Sequence, residues 1–150
     1  MKSLFNQDTH SEIINRIENL NENSQANWGK MTVGQMFKHC QLPLNVANGK
    51  LELNTNIGFF KKLIFKAFKP LMYNDKPWNK NLNTPRQFRV TDKQEFITEK
   101  KNLKIIIAEF TVRKNENNWP PHPLFGKFTN EQWGKMQYKH LDHHLTQFGV

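Results

Sequence analysis

The stretch T129-NEQWGKMQYKHLDHHLTQ-F148 decides the fold. It opens on Thr129 and places Gln132 three residues later, a capping box in which each side chain satisfies a free backbone N–H at a helix start. At about 100° per residue, Trp133, Met136, Gln137, His140, Leu141, His144, Gln147 and Phe148 fall on one face. The pattern predicts a helix over 130–148 with a broad inward stripe. His140 and His144 stack one turn apart at the centre of that stripe, His143 lies on its border, and Asp142 points away. Half of the chain's 6 histidines therefore sit on one helical turn.

Working outward, the same device recurs at Thr9/Glu12, Thr32/Gln35 and Thr91/Gln94. These boxes predict helices over 10–21, 33–48 and 92–114. Ile13, Ile14, Ile17 and Leu20 stripe the first; Phe96, Leu103, Ile106, Ile107 and Phe110 stripe the third. The run LKIIIAEFTV is rich in β-branched residues, but its continuity with TDKQEFITEKKN favours helix over strand. Between the second and third capped helices, GFFKKLIFKAF sets apolar residues at 59, 60, 63, 64, 67 and 68 against lysines at 61, 62, 66 and 69. That is an amphipathic helix in a long crossover ending at Pro70. Segments 74–90 and 115–128, rich in Asn and Pro, read as loops. The whole is expected to be an all-α bundle. WGKM occurs at 28–31 and at 133–136, once before a cap and once inside a helix; the flanks differ, so the repeat is read as coincidence.

With 150 residues the chain is expected to form one domain, 1–150, and its 12 Phe and 4 Trp supply a bulky core. No apolar run reaches membrane-spanning length and the N-terminus lacks the apolar centre of a secretion signal. A single cysteine, Cys40, excludes an intramolecular disulfide and fits a reducing, cytoplasmic setting. The formal charge of +9 is uneven: residues 55–90 carry 8 basic side chains and only Asp75, while residues 1–54 are neutral.

Imidazoles at i and i+4 can converge on one ion. A third ligand is offered by the second helix, where His39 shares the apolar face with Thr32, Met36, Pro43, Val46 and Ala47. Pro43, four residues after His39, removes the N–H that would bond the His39 carbonyl and is expected to kink the helix there. A single inward histidine is more often a hydrogen-bonded core residue than a ligand. Three on two helices favour a metal, because buried imidazoles need partners. His143 is expected to flank the site, His10 and His122 to serve capping and loop roles (His122 could line a cleft mouth), and Cys40 to be a packed thiol.

The inward His39, followed on the last helix by HLDHHLTQ as H-x-x-x-H-x-x-Q, resembles the DinB/YfiT-like superfamily of metal-dependent enzymes. WGKMTVGQMFKHC is similar to the segment carrying its first ligand, and HPLFGKFTNEQWGKMQYKHLDHHLTQFG to its last loop and helix. The resemblance implies a four-helix bundle with a long crossover after the second helix. It also implies a divalent metal, zinc or nickel, on His39, His140 and His144. Several members of that superfamily transfer groups to or from low-molecular-weight thiols.

Three neutral imidazoles leave a position open for water or substrate, so a metal-activated water or thiol could act as nucleophile in a transferase or hydrolase. Gln35, Gln137, His143 and Gln147 could orient the ligands by hydrogen bonding. The expected partner is a small-molecule substrate, with a homodimer allowed for and neither specific nucleic-acid binding nor a membrane span expected. The alternative is a non-catalytic module using the basic aromatic stretch 59–90 against a membrane surface or nucleic acid. Against it, the apolar stripe of the crossover helix is expected to pack on the bundle, leaving its lysines solvated.

Overall fold

In the computed structural model, residues 1–53 and 58–150 are described, with the backbone alone for Phe59 and Lys62; position 59 of the crossover stripe and the lysine at 62 therefore lie outside the described side chains. Two of the four capping boxes close. The Thr32 and Thr129 hydroxyls accept the backbone N–H groups of Gln35 (3.3 Å) and Gln132 (3.2 Å). In return the two Gln side-chain oxygens accept the threonine N–H groups at 2.9 and 3.1 Å. These boxes start α2 (Val33–Ala47) and α5 (Asn130–Gln147) where the sequence places them.

The other two boxes do not form, because tertiary contacts fix those helix entries. The N-terminal segment is docked first: Leu4, wholly buried, donates its N–H to the Gly134 carbonyl at 3.0 Å. The chain turns immediately, and α1 (Gln7–Glu18) begins three residues before the expected start, with Thr9 buried inside it. This approach needs Gly134, since a Cβ there would collide with Ser3 Oγ and the Phe5 ring. Ahead of the next core helix the Thr91 and Asp92 carbonyls accept Gln35 Nε2 of α2 at 3.0 and 3.2 Å, so that the helix starts at Phe96 rather than at 92.

The crossover contains α3 (Phe59–Phe68), a 3₁₀ turn at Lys69–Met72 and a second at Arg86–Phe88 within the expected loop. It leads into α4 (Phe96–Val112), where LKIIIAEFTV is helical as expected and buries Leu103, Ile107 and Phe110. Helix α2 lies against α4 and α5, and α1 packs on α5. Ile13, Ile17, Met36, Phe37, Leu44, Leu103, Phe110, Trp133, Leu141 and Leu145 close the core between them. The described residues are thus all-α, without a β-strand, and none of their helices is long and apolar enough to cross a membrane.

Helix α3 departs from expectation. Its apolar stripe does not pack on the core helices: Leu63, Ile64 and Phe68 are all exposed, as are Lys61 and Lys66. Phe65, by contrast, docks edge-on to Phe125 with ring centroids 5.8 Å apart.

Candidate metal centre

Every member of the α5 stripe is buried, the two histidines included. On α2, His39 is buried beside Met36, Cys40 and Pro43. Because α2 lies against α5, the three imidazoles meet: ring centroids are 5.0 Å apart for His39–His140, 4.6 Å for His39–His144 and 4.8 Å for His140–His144. One nitrogen from each lies within 4.8 Å of the others, so the cluster could hold a metal ion.

Hydrogen bonds set the tautomers of two rings. His39 Nδ1–H donates to the Phe88 carbonyl at 2.8 Å, and His144 Nδ1–H donates to Gln147 Oε1 at 2.8 Å. Each leaves a lone pair on Nε2. Gln147 is itself held, its Nε2 donating to the Trp28 carbonyl at 2.5 Å. This is the outer support that metal-binding imidazoles use to fix ring orientation.

His140 has no such support. Its Nε2 lies 3.1 Å from His39 Nε2, and its Nδ1 is buried without a partner among the described residues. A proton on Nε2 would bond His39 but strand an Nδ1 lone pair. A proton on Nδ1 would strand an N–H and set two lone pairs face to face. A cation between the Nε2 atoms removes the second conflict, and two nitrogens on one tetrahedral zinc stand about 3.3 Å apart. The donor set therefore fits a divalent ion.

Burial keeps the rings in the neutral, ligating form. It drives His140 well below the ordinary imidazole range, reinforced by His144, His39 and His143. His144 is lowered to about 3 by burial and then by His39, with the Gln147 hydrogen bond opposing. His39 is lowered by burial despite its bond to Phe88.

The three histidines line one wall of a cavity of about 280 Å³. Its remaining surface is largely apolar: Pro43, Phe65, Met72, Trp78, Leu82 and Phe125 among others, with Asn83, Thr84, His122 and His143 as the polar groups and no charged side chain among the described residues. His143 sits between Trp28 and Trp78, ring centroids 5.9 and 5.8 Å away, at the edge of the cluster.

Of the supporting glutamines expected from the sequence, Gln147 takes that role. Gln137 is wholly buried but clamps the helices, donating to the Pro43 carbonyl at 3.1 Å. Gln35 is committed to its capping box and to the Thr91 and Asp92 carbonyls, away from the cluster. Cys40 is a packed thiol, 3.7 Å from Met36 Sδ, with its pKa pushed up by burial. The backbone carbonyls of Phe88 and Trp28 escape sequence reasoning because a carbonyl acceptor carries no residue signature. Trp78 lies in a stretch whose sequence reads as loop and as part of the basic aromatic surface, with nothing to link it to the histidines. His122 does reach the cavity wall. Its Nδ1 accepts the N–H groups of Leu124 (3.1 Å) and Phe125 (3.3 Å), closing the HPLFG turn.

The sequence model of a family of proteins of unknown function, DUF1569, matches residues 2–149. The chain belongs to this family. No curated protein and no solved structure matches it. The DUF1569 match spans the three histidines, the HPLFG turn and both closed capping boxes, so the whole candidate centre lies within the family's own extent.

Proposed function

We propose that this DUF1569 chain is a divalent-metal enzyme of the DinB-like type. Its α1, α2, α4 and α5 would form the four-helix bundle and the segment with α3 its long crossover. The observation that carries the reading is the meeting of His39, His140 and His144 on one wall of a cavity, two of them pre-oriented through Nδ1. Late first-row ions, zinc or nickel, suit three neutral imidazoles better than magnesium or calcium. Bound there, such an ion would supply a nucleophile at neutral pH from water or a thiol, as a transferase or hydrolase needs. The chain's own part is to hold the rings, exclude bulk water with Trp78 and Phe88, and offer a substrate an apolar wall. His143, at the cavity edge and half-buried, is available to orient a polar group of the substrate.

Elemental analysis of untagged protein prepared without chelators tests this. Near-stoichiometric zinc or nickel is expected, lost in His39→Ala and His140→Ala and kept in His143→Ala. Metal content unchanged by His39→Ala, or absent after reconstitution with both ions, overturns the reading.

A further inference from the structure

At about 100° per residue, Phe60, Leu63, Ile64, Ala67 and Phe68 occupy one half of α3. Lys61 and Lys66 fall just beyond its two borders, and Phe65 lies on the opposite side. A surface helix ordinarily turns its apolar half to the core. Here Phe65 faces the protein as part of the cavity wall, while Leu63 and Ile64 are 50% and 55% exposed. Phe68 and, further along the crossover, Leu71 and Leu82 are exposed as well. Around it, residues 58–90 carry 8 basic side chains and only Asp75 as an acid.

We propose that this face of α3 docks on an anionic lipid surface. An apolar stripe bordered by lysines is the form of helices that lie in the membrane interface, aliphatic side down and ammonium groups at headgroup level. Charge argues against the other occupants of an apolar face. A second copy placed on it would bring two segments of net +7 together, a like-charge contact that disfavours association. Nucleic acid would match the charge, but between Phe60 and Phe68 the face is aliphatic, and Leu63, Ile64 and Ala67 give a run of bases nothing to stack on. The same helix lines the cavity on its other side, through Phe65. The proposal does not depend on metal binding.

Sedimentation of the full chain with vesicles tests it, comparing phosphatidylcholine alone with phosphatidylcholine containing phosphatidylserine. Binding is expected only with phosphatidylserine and is expected to weaken as salt is raised. Lys61→Gln with Lys66→Gln should reduce partitioning about 25-fold, at about fivefold per lysine. Leu63→Gln with Ile64→Gln, which leaves charge unchanged, should reduce it at least about tenfold. Both pairs are exposed, and wild-type melting temperatures would show the core intact. Equal binding to the two vesicle types, no binding to either, or wild-type partitioning of the Leu63/Ile64 variant overturns the proposal. So does a concentration-dependent dimer, or retention of an oligonucleotide, that the Leu63/Ile64 pair abolishes.

Discussion

At the scale of single residues, the centre depends on atoms that touch no ligand. Gln147 fixes His144 through Oε1 and is anchored by the Trp28 carbonyl. The anchor requires Gly29: its φ of +84° suits glycine, and a Cβ would stand 2.5 Å from Gln147 Nε2. Gln147→Ala should therefore lower zinc affinity about 10–100-fold, measured by competition with a chromophoric chelator, while His143→Ala should not. His122 offers a separate test by pH. Burial lowers its pKa from 6.5 to about 4. Between those values the unfolded chain binds a proton there that the folded chain does not. The stability is thus complete above pH 6.5 and is lost as pH falls toward 4, by on the order of 3 kcal/mol. His122→Asn can still accept the turn's N–H groups, and its stability in urea should fall less over that range than wild type's.

At the scale of elements, a capping box in the sequence is a local bid that tertiary contacts can override. Thr32 and Thr129 cap, whereas Thr9 lies within α1 and Thr91 precedes α4 by five residues. Thr32→Ala and Thr129→Ala should each cost about 1 kcal/mol. Thr91→Ala should cost only a few tenths of that, as for a surface site without a special contact. Chemical denaturation of the three variants checks the contrast. The α5 stripe was legible because its period of 3.6 survives any packing partner; all eight of its predicted members are buried. The orientation of α3 was not legible. Its pattern shows which half is apolar, but not that Phe65 on the other half would find a partner in Phe125.

At the scale of the molecule, the crossover is held over the centre by one buried cation. Lys139 on α5 is only 4% exposed, and its ammonium donates to the Leu71 carbonyl (2.8 Å), the Asn74 carbonyl (3.0 Å) and Asn74 Oδ1 (2.7 Å). Trp78 Nε1 shares the Leu71 carbonyl at 3.0 Å, and its ring stands 5.9 Å from that of His140. Lys139→Met keeps the side chain's bulk but removes all three bonds. Amide hydrogen exchange should then rise across residues 71–78 while the core of α2 and α5 stays protected. Exchange unchanged in that segment would show that Phe65 and the 3₁₀ turns suffice to hold it.

The sequence by itself determined the helices, the inward faces of those that form the core and the three histidines. Those features rest on periodicity and on interactions between residues three or four apart, and both are written locally. Only the tertiary structure decided which caps closed, that Gln35 bonds the entry to α4 rather than joining the histidines, and that the carbonyls of Phe88 and Trp28 complete the support of His39 and His144. It also decided that Lys139 is the buried pin of the crossover. These outcomes turn on backbone carbonyls and on contacts across 49 to 119 positions of sequence. A carbonyl is the same at every residue, so no pattern of side chains could announce which ones would be used.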